Sequence, residues 1–350
     1  MVKPSKLSDI AHKTGLSITT ISRVINGKAD LYRISKKSQE IVQNAVKELG
    51  YRPNIFAQGL RKNYTKTIGL LLPSFENPFF ASIAACVIRE AAKSGYSVIV
   101  LDTRESADEE KRALDNLKNR KVDGIAMVPC GYEVEALEEL DKEIPIVLID
   151  RYYENSSLTY ACTDNFKGAY DATKKLIEAG HRDILCIRGV PHAITSVRRV
   201  AGYLKALQEA GLEEHAMISG NEFTIENGYL QTQLAISSGK KFTAIFALSS
   251  TNLLGSMRAL RDNNLKVPEN VSLISFDDNV YLNFLNPPIS CVSQPLDLIS
   301  AAALDKLFER LGVSRELNIK KQDKTASDSS MIEIPPQIIM RDSIAILKEK

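Results

Sequence analysis

The hydrophobic pattern of the chain changes its period part-way along. Over residues 7–49 apolar side chains recur at three- and four-residue intervals: Leu7, Ile10 and Ala11, then Ile21, Val24 and Ile25, then Ile41, Val42, Ala45, Val46 and Leu49. That spacing puts each group on one helix face and predicts three short helices. Gly15 breaks the first, Ser17 can cap the second, Ser35 begins the third and Gly50 stops it. Helix, tight turn, helix and a supporting third is a helix-turn-helix layout. Its second helix is the one expected in the major groove of DNA.

From Thr67 onward, short apolar runs alternate with amphipathic segments. The runs at 67–73, 96–102, 124–129, 144–150, 184–189, 244–249 and 271–278 read as buried parallel strands. Segments such as 79–94, 108–120, 165–179, 198–210 and 252–264 supply the crossover helices. A polar loop at 320–329 precedes a last strand near Met331 to Ile334. The expected fold is an all-α helix-turn-helix head, residues 1–50, and an α/β body of two lobes with parallel sheets, residues 67–350. Between them residues 51–66, YRPNIFAQGLRKNYTK, are polar and basic and start with Pro53-Asn54 close to Tyr51. A helix of about two turns is unstable alone. This hinge is expected to order only against DNA or its own copy in a dimer.

Composition adds a charge asymmetry. Hydrophobic residues make up 44% of the 350 positions and charged ones 25%, enough to bury cores in two or three domains. The net charge is +2, yet Met1 to Lys66 carry thirteen Lys/Arg against four Asp/Glu, or +9, which leaves −7 for the rest. A polyanion-binding head therefore precedes an acidic body. Five widely spaced cysteines (Cys86, Cys130, Cys162, Cys186 and Cys291) fit buried thiols in a reducing compartment and form no metal-ligand cluster. No signal-peptide pattern and no membrane-length apolar run is seen, so a cytoplasmic protein is expected.

In the head, Arg23 offers a planar fork suited to guanine, and Thr19 and Ile18 offer a hydroxyl and an apolar surface for other base edges. Ser17, Thr20 and Asn26 suit phosphate contacts, though the hydroxyl-rich stretch also fits plain capping. In the body, ligands are expected where strand ends of both lobes converge. Phe79 and Phe80, Asp150 and Arg151, Arg199, Ser249 with Ser250, and Asp277 all stand at such ends. Carboxylates and arginines facing a ring of hydroxyls make paired hydrogen bonds, and an aromatic face covers its apolar side.

The stretch KLSDIAHKTGLSITTISRVING resembles the N-terminal signature of the lactose-repressor (LacI) family of bacterial transcription regulators. The similarity continues through LGYRPNIFAQGLRKNYTKTIGLLLPSFENPFF, IPIVLIDR, VRRVAGYLKAL, VPENVSLISFDD and PPISCVSQP to RDS, across essentially the whole chain. It implies a homodimeric repressor or activator on a pseudo-palindromic operator, controlled by a small effector held in a periplasmic-binding-protein-like body. It also implies that Ile18, Thr19 and Arg23 face bases, that Asn54 belongs to the DNA-binding set, and that Leu60 wedges into the minor groove. Arg199, Asp277 and Phe223 match effector-contacting positions, and Phe79 and Phe80 match aromatic positions lining the pocket of a purine-binding relative. The turn NGKADLYRIS is longer than in the lactose repressor and resembles that of the fructose-repressor branch. Its Lys28 and Arg33 could add phosphate contacts or be an ordinary surface insertion. The family's Asn-Asp pair is replaced by Ser249 and Ser250, so no one sugar class is favoured; a sugar or a sugar phosphate is expected, the latter with Arg151, Arg198 and Arg199 as partners. Dimerisation is expected through the helices at 79–94 and 108–120.

An enzyme is not expected. There is no GxGxxG after a strand, no GxxxxGK[ST], no GxSxG and no HExxH, and His12, His181, His192 and His215 are scattered. No cofactor or metal is called for.

Overall fold

The computed structural model describes residues 5–51, 64–131, 133–313 and 330–347. The chain divides into two compact units on either side of the Thr65–Lys66 bond.

The first unit holds α1 (Leu7–Thr14), α2 (Ile18–Ile25) and α3 (Lys36–Glu48). Gly15 ends α1 in the left-handed conformation, at φ 69°. Ser17 caps α2 by accepting from Thr20 N, and Ser35 caps α3 by accepting from Ser38 N. The three helices enclose Ile10, Ile21, Val24, Ala29, Val42 and Ala45. Ile41 departs from the expected stripe and is exposed. It lies at the rim of the 42/45/46/49 face, and so small a core does not reach it.

The second unit contains, in chain order, β1 (Thr67–Leu72), α4 (Pro78–Lys93), β2 (Ser97–Asp102), α5 (Ala107–Asn119), β3 (Gly124–Met127), α6 (Val134–Glu143), β4 (Ile146–Ile149) and β5 (Thr159–Thr163). Next come α7 (Asn165–Glu178), β6 (Ile184–Ile187), α8 (Ile194–Glu209), β7 (Met217–Ser219), α9 (Ile225–Ser237), β8 (Ala244–Ala247), α10 (Ser250–Asp262), β9 (Ser272–Phe276) and β10 (Ser290–Ser293). The unit closes with α11 (Leu296–Arg310), β11 (Met331–Ile334) and β12 (Gln337–Ile339).

The strands form two sheets of matching order, β11-β5-β4-β3-β1-β2 and β12-β10-β9-β8-β6-β7. Every pairing is parallel except β10 with β12. Helices cover both faces of each sheet, so the central strands are buried throughout and read as continuous apolar runs. The chain crosses between lobes three times: from β5 to α7, from β10 to α11, and from β11 to β12. After the second crossing α11 returns to the N-terminal lobe, where it packs against α4, β4 and β5 and adds Ile299, Ala303, Leu304 and Phe308 to the core there.

Two expected helix starts move forward. α8 begins at Ile194, inside the segment expected as a loop, and α10 begins at Ser250. Arg199 therefore sits in the second turn of α8 rather than at its start. β5, β7, β10 and β12 add strands that the apolar pattern does not single out.

Candidate functional site

In the head, α2 presents Ile18, with 51% of its surface exposed, and the exposed Thr19. Arg23 is half-buried, and its guanidinium lies over the Tyr32 ring, 3.7 Å from the centroid. Ser17, Thr20 and Asn26 are partly committed to the helix itself. The Ser17 hydroxyl accepts from Thr20 N at 3.1 Å and pairs with Thr20 Oγ1 at 2.9 Å, and Asn26 Nδ2 donates to Ser22 O at 2.6 Å. Asn54 and Leu60 lie outside the described residues.

In the body, the carboxyl ends of the strands of both lobes converge on a cleft with about 260 Å³ of empty volume. Asn77, Phe79, Phe80, Asp150 and Arg151 line it from the N-terminal lobe, and Thr195, Arg199, Phe223, Ser249 and Asp277 from the C-terminal lobe. Phe79, Phe80, Asp150, Arg151, Arg199, Phe223, Ser249 and Asp277 are thus gathered at one cleft, whereas Arg198 and Ser250, also named from the sequence, are not among its lining residues. Phe79 and Phe80 stand edge to face at 5.3 Å in the first turn of α4, whose N-cap is Asn77. Phe223 can lie across the cleft only because residue 189 is glycine: a Cβ there would come within 2.2 Å of the phenyl ring.

Two aspartates follow matching strands and share a rare backbone. Asp150 after β4 has φ 65° and Asp277 after β9 has φ 73°, both left-handed. Asp277 is well partnered: Gln294 Nε2 donates to its Oδ1 at 2.6 Å, and Ser250 N donates to its Oδ2 at 3.4 Å. Asp150 is equally buried, yet its Oδ1 has no hydrogen-bond partner among the described residues. Burial pushes the Asp150 carboxyl up to about 6, against the pull of Arg199 and Arg151. Burial likewise raises Asp277, opposed by Arg199 and by the Gln294 and Ser250 hydrogen bonds.

The two arginines are held by different partners, and Arg151 Nε, like Asp150 Oδ1, has no hydrogen-bond partner among the described residues. Arg151 is held in a bidentate pair by Glu105, at 2.7 and 2.8 Å, which keeps its charge strongly compensated. Arg199 donates Nε to Asn165 at 2.7 Å and Nη1 to Leu248 O at 2.7 Å, with the ring of Phe276 3.8 Å from its guanidinium carbon. Burial lowers the Arg199 pKa, with Asp277 and Asp150 opposing. Ser249 lines the cleft, but its hydroxyl caps α10 through Asn252 N at 3.2 Å.

Several contributors were not named from the sequence. Gln294 is the most informative: besides holding Asp277 it accepts from Thr163 Oγ1 at 2.6 Å, so one amide joins two interlobe crossings to a cleft carboxylate. Only its position after a strand, next to Pro295, could have drawn notice. Asn165 and Glu105 position the arginines from loop and helix starts whose partners lie far away in sequence.

A pattern described as periplasmic binding proteins and sugar binding domain of the LacI family matches residues 65–339, and one described as bacterial regulatory proteins, lacI family, matches residues 6–54. The chain belongs to the LacI family. Among relatives of this LacI-family protein, the HTH-type transcriptional repressor PurR of Edwardsiella ictaluri is 33% identical, over 97% of this chain and 96% of its own. A lac repressor dimer solved with operator and the anti-inducer ONPF has the same fold, with a TM-score of 0.85 at 24% identity over 98% of this chain and all of that one. The transcriptional regulator CelR in complex with cellobiose is 27% identical, with a TM-score of 0.68 over 97% of this chain and 99% of its own. This LacI-family protein is accordingly a DNA-binding transcription regulator with an effector-binding body, and not an enzyme. No helix among its described residues is long and apolar enough to cross a membrane.

Proposed function

We propose that the chain is a homodimeric repressor whose α2 reads a pseudo-palindromic operator and whose affinity is set by a neutral sugar in the body cleft. One observation carries the choice of ligand. A buried carboxylate oxygen of Asp150 has no partner among the described residues, in a cleft that also holds Asp277, Arg199 and three phenyl rings. Sugar hydroxyls donate to the carboxylates and accept from the guanidinium, while the C–H face of the ring packs on Phe79, Phe80 or Phe223. A sugar phosphate is a poorer guest. Glu105 already compensates Arg151, and two carboxylates face the one remaining arginine. The cellobiose complex of CelR supports a saccharide.

On the DNA side, Ile18, Thr19 and Arg23 contact base edges, and Ser17, Thr20 and Asn26, with Asn54, contact phosphates. Leu60 of the hinge enters the minor groove. A dimer forms through α4 and α5 of the N-terminal lobe, where α4 exposes Ala81, Ala85, Ile88 and Ala92. The C-terminal lobe exposes Leu230, Leu234, Val280 and Phe284, which a second copy would also cover. The domains are the head, 1–50, the hinge, 51–66, and the body, 67–350, and the protein acts in the cytoplasm on the chromosome. Effector shifts DNA affinity only as far as it prefers one lobe arrangement over another.

A thermal-shift screen of the full chain against D-ribose, D-fructose, cellobiose, D-fructose 1-phosphate and hypoxanthine tests the ligand class. A neutral sugar raises the melting temperature, and Asp277→Ala abolishes the rise. Stabilisation by the phosphate or the nucleobase alone overturns the assignment.

A further inference from the structure

The turn between α2 and α3 has an architecture of its own. Ala29 is buried in the core of the head and anchors it. Lys28 N donates to Arg23 O at 2.9 Å, Tyr32 N to Lys28 O at 3.3 Å and Ile34 N to Ala29 O at 2.9 Å, winding residues 28–34 into a compact loop. Gln39 fastens its far side, donating Nε2 to Ile34 O at 2.9 Å and to Asp30 Oδ1 at 3.3 Å. Arg33 adopts φ 51° to close it.

This winding carries Tyr32 back onto α2, where its ring meets the Arg23 guanidinium at 3.7 Å. Tyr32 remains 46% exposed, so little of its ring serves the core of the head. Stacking uses the π face of a guanidinium and leaves its in-plane N–H donors available. Among the described residues no hydrogen bond or ion pair engages that group. A long, mobile arginine must lose rotamer freedom to bind a base, and one already resting on a ring loses less.

We propose that Tyr32 is a positioning residue of the DNA interface: it holds the Arg23 guanidinium against its ring and so strengthens the preference for the base that Arg23 reads. The longer turn is thereby part of the recognition surface rather than a surface insertion. The proposal rests on Arg23 being a base-reading residue.

The test uses the full chain. A preferred duplex is selected from a random pool, and affinity for it and for a scrambled duplex is measured by fluorescence anisotropy at several salt concentrations. Arg23→Ala, Tyr32→Ala, Tyr32→Phe and the Arg23→Ala/Tyr32→Ala double variant are compared with the parent. Tyr32→Ala is expected to lower the selected-to-scrambled affinity ratio about three- to thirtyfold, the range of a surface to desolvated cation–π contact. The scrambled duplex and its salt dependence stay unchanged, because the phosphate contacts remain. Tyr32→Phe keeps the parental ratio, since the ring and not the hydroxyl does the holding, and Tyr32→Ala adds no loss in the Arg23→Ala background. Equal losses in the Phe and Ala variants, a loss that persists without Arg23, or an unchanged ratio in Tyr32→Ala would each overturn the proposal. If Arg23→Ala itself leaves the ratio unchanged, the base-reading role fails and that of Tyr32 with it. If Arg23→Ala lowers the ratio and Tyr32→Ala does not, Tyr32 alone is excluded.

Discussion

The two lobes repeat one device and finish it differently. Each sheet ends a central strand, β4 or β9, in a buried aspartate with a left-handed backbone, and each aspartate faces the shared cleft. In the C-terminal lobe Asp277 is held by Gln294 and Ser250, while in the N-terminal lobe Asp150 keeps a buried oxygen without a partner among the described residues. The same geometry thus yields one preorganised acceptor and one whose hydrogen-bonding capacity is unspent. An unsatisfied buried acceptor is costly, so it marks where a ligand has most to contribute.

The comparison breaks most visibly at the arginine that both carboxylates share. Arg199→Met leaves Asp150 and Asp277 buried without their main countercharge, and the unfolding transition of the body in urea should fall by about 3–5 kcal/mol. Adding Asp277→Asn to that background should recover part of the loss. If Arg199→Met proves neutral, the cleft charges do not interact as described.

The next effect is a pH dependence specific to Asp150. Its carboxyl is raised from 3.8 to about 6 by burial, so the native state binds this proton more tightly than the unfolded chain. The associated stability is complete below about pH 4 and is lost as pH rises through about 6. That loss reaches about 3 kcal/mol at most. Asp150→Asn should remove it. Subtracting the variant's pH–stability curve from the parent's cancels exposed carboxylates such as Glu138 and Glu178, whose lowered values act in the opposite sense. A flat difference curve would show that Asp150 titrates normally.

At pH 7.5 the same substitution separates the lobes in sign. Asp277→Asn sets an amide against Ser250 N–H or Gln294 and should cost about 1–3 kcal/mol. Asp150→Asn, lacking such partners, should leave the melting temperature unchanged or raised. Equal penalties at both sites would remove the distinction. The smallest effect belongs to Ser249, whose hydroxyl caps α10. Ser249→Ala should cost about 1 kcal/mol, as lost N-caps do, with sugar affinity little altered. A large loss of affinity with unchanged stability would return Ser249 to the ligand.

How much was legible follows the same physics. β1, β4, β8 and β9 are buried on both faces and announce themselves as apolar runs, and the αL aspartates stand directly after two of them. β10 does not, because its buried Ser290 is satisfied from afar: its N–H donates to Ser343 Oγ at 2.8 Å and its Oγ accepts from Arg341 N at 2.9 Å. β7 and β12 are edge strands of only three residues, MIS and QII, too short to stand out as apolar runs. α8 and α10 start earlier than the pattern at 198–210 and 252–264 predicts, since Thr195, Ser196 and Thr251 look like loop residues yet are buried in first turns. Asp150, Arg151 and Asp277 are readable from strand ends, and Arg199 from the motif VRRVAGY, whereas Gln294 and Asn165 acquire their roles only through partners brought close by the crossings.

The most direct test of the account couples both ends of the molecule. Operator affinity of the full chain is measured with and without the neutral sugar that most raises its melting temperature, in the parent and in Asp150→Ala and Asp277→Ala. The account predicts a change of about 5- to 150-fold in the parent, absent or nearly so in both variants, with sugar-free DNA binding retained. A sugar response that survives both substitutions, or operator binding indifferent to every sugar, would contradict it.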